Sequence, residues 1–236
     1  MSASMTRRRM LAMGAAGAAA SVLPAAHAYD PCKPPQKWDV TTDVLVIGSG
    51  GAGLAAAVSA AEGGAKTLVM EKLNFLGGNT LLCSGYYNCV DPGRQKKQGI
   101  DDSIDLHVRQ TLNAGDNRGN PELVKVLCGK GLETLEWLES MGMKFDAQVI
   151  QVYGALYRRS HLATESKGAG YIKVLKKKAD KLGVSFMMGT KMKSIVREGA
   201  QSGRVLGVEA TDAKGKSVFV RATKGVVLAA GGFAAN

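Results

Sequence analysis

The residues with the clearest chemical potential are three glycines, Gly48, Gly50 and Gly53, in the spacing Gly-x-Gly-x-x-Gly. They follow a β-branched, apolar run, Val44–Ile47, that is typical of a buried parallel strand, and they precede small residues that predict a helix. The first glycine allows a tight turn, the second lets the backbone approach a pyrophosphate, and the third lets helix and strand pack closely. Because a helix N-terminus attracts phosphate, the stretch predicts a dinucleotide site and not a purely structural turn.

An acidic residue stands where such a site needs one. A second predicted strand, Thr67–Met70, ends on Glu71, about 20 residues beyond the glycines. A carboxylate there accepts hydrogen bonds from ribose hydroxyls and repels a 2′-phosphate, so NADP is disfavoured. The loop Gly77–Thr80 follows directly, and we expect it near the pyrophosphate or a flavin; an ordinary surface loop is the alternative.

The first 28 residues predict an export signal. Arg7 and Arg8 form the pair of a twin-arginine signal, a mildly apolar Ala/Gly-rich segment follows, and Ala26–Ala28 has the small-x-small form of a cleavage site. The alternative is a disordered basic tail. We therefore divide the chain into a signal peptide at 1–28, an extended proline-rich segment at 29–40 and a folded domain at 41–236, and we expect a periplasmic protein.

Charge and hydropathy narrow the classes of partner. The 236 residues are 45% hydrophobic, and the net charge of +11 includes three leader arginines, which leaves +8. Five lysines share one predicted helix, which indicates either a solvated face or a steering patch for an acidic electron-transfer partner: Lys173, Lys176, Lys177, Lys178 and Lys181. Nucleic acid is an unlikely ligand without interleaved aromatic residues, and no segment is long and apolar enough for stable membrane insertion.

The four cysteines have no metal-binding spacing. Cys32, Cys83, Cys89 and Cys128 form neither Cys-x-x-Cys pairs nor a haem-attachment motif, so we expect no zinc, iron–sulfur or c-type haem site. A disulfide is permitted outside the cytoplasm, but no spacing selects a pair. Buried free thiols are the equal alternative.

The order of predicted elements favours an α/β fold. Helices are expected after Ser103 and after Asn120, with a possible break at Gly131, and the region 148–170 has no clear period. A strand at 184–188 precedes a three-stranded meander, and a final strand from Gly225 leads into a second glycine turn. This order predicts a Rossmann-like parallel sheet with a helical insertion and a β-meander crossover, and a nucleotide at the carboxyl ends of its strands.

Five stretches resemble the flavoproteins of the fumarate reductase and succinate dehydrogenase family, and most resemble its periplasmic flavocytochrome c-type enoate reductases. The resemblance covers essentially all of 41–236. The stretches are Val46–Leu54, Glu71–Lys72 with Gly77–Thr80, Asn120–Leu127 with Glu136–Gly142, Arg159–His161, and Val226–Phe233.

The resemblance implies FAD as the dinucleotide and assigns residues to it. The first glycine turn would hold the pyrophosphate, Glu71 the adenosine ribose, and Met192 the adenine through its backbone. Asn79, Thr80, Ser84 and Gly85 would lie along the pyrophosphate and the flavin, and Ala229 to Gly231 would pass close to the FAD. The complete implied set is Gly48, Gly50, Gly51, Ala52, Gly53, Glu71, Lys72, Gly78, Asn79, Thr80, Ser84, Gly85, Met192, Ala229 and Gly231.

The sequence also departs from the family. Tyr86 stands where relatives often have a second glycine, and its bulk would press on the flavin or substrate edge. Relatives place the substrate-capping domain, with its proton-delivering arginine, after the second glycine turn, so we expect this chain to be the N-terminal portion of such a protein. No catalytic residue is therefore assigned. His161 is expected to be a basic loop residue that contacts a neighbouring segment, and Asp101 and Asp102 a helix-capping pair.

Three functions remain open at this point. The first is an exported FAD-dependent reductase of fumarate or another enoate, which receives electrons from a separate cytochrome c or quinol-linked donor. The second is a non-catalytic FAD-binding fragment. The third is the FAD half of a related dehydrogenase or oxidase that acts on a steroid or an amino acid.

Overall fold

The computed structural model describes residues 34–165, 167–199 and 202–232. The predicted signal peptide at 1–28 and the first part of the segment at 29–40 lie outside the described residues. The described chain contains two sheets and a set of helices around them, and their order agrees with the α/β fold predicted from the sequence.

Nine strands lie within the described ranges, and six of them form the larger sheet. The strands are β1 Val40–Ile47, β2 Thr67–Met70, β3 Tyr86–Asn88, β4 Phe145–Ile150, β5 Ser160–Ala163, β6 Ser185–Met187, β7 Lys191–Arg197, β8 Val205–Thr211 and β9 Ser217–Leu228.

The larger sheet has the order β6-β2-β1-β9-β8-β7. Strands β6, β2, β1 and β9 run parallel, and β9, β8 and β7 form the antiparallel meander. β1 is central in the parallel part, with β2 on one side and β9 on the other. The carboxyl ends of these three strands therefore lie at the same edge of the sheet, where a parallel sheet binds its ligands.

The last predicted strand is not a separate element. The sequence predicts the third meander strand and the strand from Gly225 as separate elements, but β9 runs unbroken from Ser217 to Leu228. Its first half pairs antiparallel with β8, and it pairs parallel with β1 from Val220 onward. A register shift accommodates the join: between the pairs Thr42–Ala222 and Val44–Gly225, β9 has one more residue than β1. One strand therefore serves both parts of the sheet.

Helices pack on the sheet or form the insertion between β2 and β6. They are α1 Gly51–Glu62, α2 Pro92–Gln95, α3 Ile104–Ala114, α4 Pro121–Gly129, α5 Gly131–Ser140 and α6 Gly168–Lys181, with 3-10 turns at Gly78–Leu82 and Lys96–Gln98. The predicted break near Gly131 is confirmed. The Asn120 side chain accepts hydrogen bonds from the N–H groups of Glu122 and Leu123, as its cap position predicts.

The predicted capping pair before α3 is wrong for Asp102. Ser103 is the N-cap, because its Oγ accepts a hydrogen bond from the Leu106 N–H. Asp102 instead forms a two-pronged ion pair with Arg159: Arg159 Nη2 and Nε lie 2.7 and 2.9 Å from the two carboxylate oxygens. Burial acts to raise the pKa of Asp102, but hydrogen bonds from Arg159 and Gln95 outweigh it and leave that pKa below its ordinary value.

The insertion contains a small sheet that the sequence did not predict. Strands β3, β5 and β4 are antiparallel in that order, and β5 lies in the middle. Two of these strands have only three or four residues, so no alternation of apolar and polar residues marks them. The sheet places Tyr87 opposite His161 and fixes the segment after Gly85.

Alternate residues of the parallel strands face opposite sides of the sheet and contribute to two hydrophobic cores. Val46 and Val69 face α1 and α6, where they pack with Leu54, Val58 and Leu175. Their neighbours along the strands face the opposite side and pack with β8 and β9; these include Leu45, Ile47, Leu68 and Met70. Over the described ranges, no helix has both the length and the hydropathy that a membrane crossing requires.

The lysine-rich helix α6 is paired locally. Lys176 Nζ lies 2.6 Å from Asp180 Oδ2 on the same helix, and Lys178 Nζ lies 2.9 Å from Glu62 Oε1 on α1. These ion pairs agree with the interpretation of the lysine run as a solvated helix face, because the two lysines are paired with carboxylates of this chain.

Candidate FAD site

The first glycine turn closes tightly after β1. Gly48 has a φ of +101°, and a Cβ there would lie 2.4 Å from the Ala229 carbonyl oxygen. A Cβ on Gly53 would lie 2.0 Å from the Gly48 carbonyl oxygen. Both positions therefore require glycine for packing alone, which confirms the tight turn and the close helix–strand contact predicted for them.

Gly50 is different, because the chain gives it space. A Cβ at Gly50 would meet nothing closer than 3.8 Å. Gly50 is also the N-cap of α1, and because it has no side chain it cannot accept a hydrogen bond from the N–H groups of the first turn. Ala52, in that turn, is exposed. A helix start whose N-cap residue brings no side chain is the place where a phosphate group binds to backbone N–H groups.

Glu71 lies at the end of β2 with 7% of its surface exposed. Its Oε2 accepts hydrogen bonds from the Ser49 N–H at 3.0 Å and the Ser49 hydroxyl at 2.6 Å, and its Oε1 accepts one from the Leu73 N–H at 3.0 Å. The carboxylate predicted to bind ribose therefore lies beside the first glycine turn. Sequence analysis missed Ser49 because its position in the motif is variable and its contact depends on the pairing of β1 with β2.

The Gly77–Thr80 loop lies against the first glycine turn and is not an ordinary surface loop. Gly77 forms a parallel bridge with Gly50, and Thr80 Oγ1 accepts a hydrogen bond from the Gly51 N–H at 2.9 Å. The Gly51 N–H therefore donates to Thr80 and does not face the space above the helix start. The Thr80 hydroxyl hydrogen is left to donate, and Gly78 and Asn79 beside it are exposed.

Gly85 occupies a crowded place beneath the start of α6. Its φ is +86°, a Cβ would lie 2.7 Å from Lys167 Cα, and its carbonyl oxygen accepts a hydrogen bond from the Tyr171 hydroxyl at 3.0 Å. Ser84, directly before it, is exposed, and so is Tyr86. The structure thus supplies a packing reason for Gly85 and leaves Ser84 accessible.

The remaining predicted residues lie beside the same sheet edge. The Thr190 N–H donates a hydrogen bond to the Glu71 carbonyl oxygen at 2.9 Å, which sets the start of β7, and hence Met192, next to Glu71. Lys72 follows Glu71 and is exposed. The Ala229 N–H donates to the Ile47 carbonyl oxygen at 2.8 Å, so the start of the second glycine turn lies against the first. Gly231 has a φ of +79°, and a Cβ there would meet nothing within 4 Å.

A separate buried polar cluster resembles a nucleophile site but lacks access. Cys89 Sγ lies 3.7 Å from His161 Nδ1, and His161 Nε2 lies 3.4 Å from Asp91 Oδ2 without hydrogen-bond geometry. His161 belongs to β5 and is fully buried, so its expected place in a loop is wrong; its contact with a neighbouring segment is confirmed, since Nδ1 lies 3.2 Å from the Tyr87 carbonyl oxygen. Burial and the nearby Asp91 raise the pKa of Cys89 to about 12, which leaves no thiolate for catalysis.

Comparison with known proteins agrees with this geometry. Residues 43–236 match the protein family described as FAD binding domain. This chain belongs to that family. FAD is accordingly its cofactor, and the glycine turn, the uncapped helix start and the adjacent carboxylate are a donor and acceptor set that fits a dinucleotide.

A curated relative and two solved structures extend the comparison. The chain is 33% identical to the acrylate reductase flavoprotein subunit of Shewanella woodyi over 95% of its own length and 45% of that protein. It is 29% identical to 3-ketosteroid-Δ4-(5α)-dehydrogenase of Rhodococcus jostii, with a TM-score of 0.80 over 88% of this chain and 50% of the other. A flavocytochrome c3 fumarate reductase is 25% identical, with a TM-score of 0.77 over 98% and 37%. The chain thus spans half or less of the length of each.

Proposed function

We propose that this chain is the FAD-binding part of an exported reductase that reduces the activated carbon–carbon double bond of an enoate, such as fumarate or acrylate. The observation that carries the proposal is the joint assembly of the first glycine turn, Glu71 and the Thr80 loop at one sheet edge, in a chain whose relatives include an acrylate reductase and a fumarate reductase. Bound FAD would supply hydride transfer.

The chain's own part in this chemistry is to bind and orient. The Gly48–Gly53 turn and Ala52 would hold the pyrophosphate with backbone N–H groups, and Thr80 would add its O–H. Glu71 and Lys72 would lie along the adenosine ribose. The other contacts are proposed for Gly78, Asn79, Ser84, Gly85, Met192, Ala229 and Gly231. Proton transfer to the substrate is assigned to no residue here.

The test begins with the 236-residue chain and a dye-linked assay. The purified chain is expected to be yellow and to hold about one FAD per chain, and a longer form that includes any following coding sequence is expected to oxidise reduced viologen with fumarate or acrylate. A longer form that holds FAD but reduces neither would contradict the reductase proposal. Enoate turnover by the 236-residue chain alone would exclude the alternative of a non-catalytic FAD-binding portion.

A steroid dehydrogenase is the second candidate. Its support is the TM-score of 0.80 with 3-ketosteroid-Δ4-(5α)-dehydrogenase. The same FAD half would serve either reaction, because the substrate contacts lie elsewhere in such enzymes. Oxidation of a 3-ketosteroid with an artificial electron acceptor, in place of enoate reduction, would favour this candidate.

Export and the electron donor are part of the proposal. Arg7 and Arg8 would direct the folded protein to the periplasm, where a separate cytochrome c or quinol-linked protein would donate electrons. Replacement of both arginines by lysine is expected to keep the protein in the cytoplasmic fraction, with the chain's FAD content unchanged. Equal periplasmic recovery of the variant would contradict twin-arginine export.

A further inference from the structure

Ser49, between the first two glycines, is fully buried, and its hydroxyl both donates and accepts a hydrogen bond. Its hydroxyl donates to Glu71 Oε2 at 2.6 Å and accepts from the Gly77 N–H at 3.2 Å, and its own N–H donates to the same Glu71 oxygen at 3.0 Å. A serine hydroxyl has a single hydrogen to donate, and Glu71 receives it. Because the Ser49 side chain is fully buried and its one hydroxyl hydrogen goes to Glu71, its effect on a ligand passes through its partners.

The bonds to Ser49 fix how Glu71 is presented. An ionised carboxylate has about four acceptor sites, two on each oxygen. Ser49 occupies two on Oε2, and the Leu73 N–H occupies one on Oε1. One site on Oε1 remains, so in this orientation Glu71 can accept a single further hydrogen bond of ordinary geometry.

Ser49 also joins the two glycine segments in a reciprocal way. Ser49 Oγ, in the first glycine turn, accepts a hydrogen bond from the Gly77 N–H of the Gly77–Thr80 loop. In the opposite direction, Thr80 Oγ1 of that loop accepts a hydrogen bond from the Gly51 N–H of the first glycine turn. Gly50 and Gly77 form a backbone bridge between these two contacts. The turn proposed for the pyrophosphate and the carboxylate proposed for the ribose are thus held together by one side chain.

We propose that Ser49 is a positioning residue for FAD. It orients Glu71 so that Oε1 is presented to one ribose hydroxyl, and it fixes that carboxylate relative to the pyrophosphate turn before the cofactor binds. The inference rests on the proposed placement of the adenosine ribose at Glu71. It goes beyond that placement by naming the residue that sets the orientation and by limiting the contact to one hydroxyl.

The experiment compares two nucleotides that differ at the ribose. ADP and 2′,3′-dideoxy-ADP are measured by competition with FAD on the flavin-free 236-residue chain. The wild-type chain is expected to prefer ADP by about tenfold, the ratio that about 1.4 kcal/mol produces. Ser49→Ala should reduce this preference to within about twofold of that of Glu71→Gln, and the double variant should reduce it no further.

Two controls separate positioning from general damage. Ser59→Ala, on the exposed face of α1, makes the same chemical change and should leave the preference unchanged. Ser49→Cys keeps a side chain of similar size in the buried position and weakens the hydrogen bond, so it decides the question if Ser49→Ala does not fold. It is also expected to lose most of the preference.

Several results would overturn the inference. One is a tenfold preference retained in Ser49→Ala or Ser49→Cys; another is an equal loss of affinity for both nucleotides, which a merely structural role would produce. A wild-type chain without preference would also refute it, together with the ribose contact of Glu71. None of these three results bears on enoate reduction. A protein that reduces no enoate but shows the predicted ratios would contradict the proposed function alone.

Discussion

Gly53→Ala should damage the fold and the cofactor site together, although alanine favours helices. Gly53 lies in the first turn of α1, and the added Cβ would lie 2.0 Å from the Gly48 carbonyl oxygen and 3.4 Å from Ala229 Cβ. An ordinary carbon–oxygen contact is about 3.3 Å or more, so the helix must move by roughly 1 Å. Overpacking of this kind costs about 3 kcal/mol, which corresponds to a fall in Tm of about 6–12 °C for a domain of this size.

Gly129→Ala is the matched control, because Gly129 ends α4 with nothing within 4 Å of the added Cβ. Its stability should stay within about 1 kcal/mol of the wild type or rise. Thermal unfolding and FAD titration of the wild type, Gly53→Ala and Gly129→Ala provide the test. Gly53→Ala should also bind FAD at least tenfold more weakly than the wild type. Equal Tm values and FAD affinities for the two variants would refute the close packing of α1 on the glycine turn.

Three further predictions concern the insertion and the cysteines. Asp102→Asn should lower the free energy of unfolding by about 3–5 kcal/mol in denaturant titration, because it leaves the buried Arg159 guanidinium uncompensated; an effect below 1 kcal/mol would contradict the pairing. Since the pKa of Asp102 is lowered in the folded state, its contribution to stability is present above the unfolded pKa of about 3.9 and is lost as pH falls below it. Wild-type stability should therefore fall more steeply than that of Asp102→Asn below about pH 4, and parallel curves would argue against this linkage. A thiol reagent should label the exposed Cys83 in the native protein, but Cys89 and Cys128 only after unfolding, and peptide mapping identifies the labelled residues. Rapid labelling of Cys89 in the native protein would contradict its burial.

The sequence predicts the parts of the site that depend on local patterns. The apolar run before Gly48, the small residues after Gly53 and the carboxylate after β2 each follow from neighbours in the chain. The resemblance and its loop predict Thr80, but not its hydrogen bond from the Gly51 N–H. The role of Ser49 depends on contacts between segments more than 20 residues apart, where its hydroxyl accepts the Gly77 N–H and donates to Glu71. Nothing in the local pattern distinguishes such a serine from one that faces solvent.

The small sheet of the insertion and the long strand β9 were missed for different reasons. β3 pairs with β5 over only three residue pairs, from Tyr86 opposite Leu162 to Asn88 opposite Ser160, so long-range pairing and not periodicity creates it. In β9, the sequence predicts a meander strand and then a separate final strand that starts at Gly225, because glycine weakens the middle of a strand. Gly225 continues the strand because β1 supplies a partner on the parallel side, where it pairs with Val44.

The pairing of β1 with β9 has a consequence for the order of events during synthesis. Val40 of β1 pairs with Val220 of β9, so β1 has no partner on that side until β9 has been translated. Such distant contacts slow folding, because a long loop must close before they form. A nascent chain would therefore leave the backbone groups on this side of β1 unpaired while the whole insertion is made, and an unpaired strand edge of this kind is prone to aggregation.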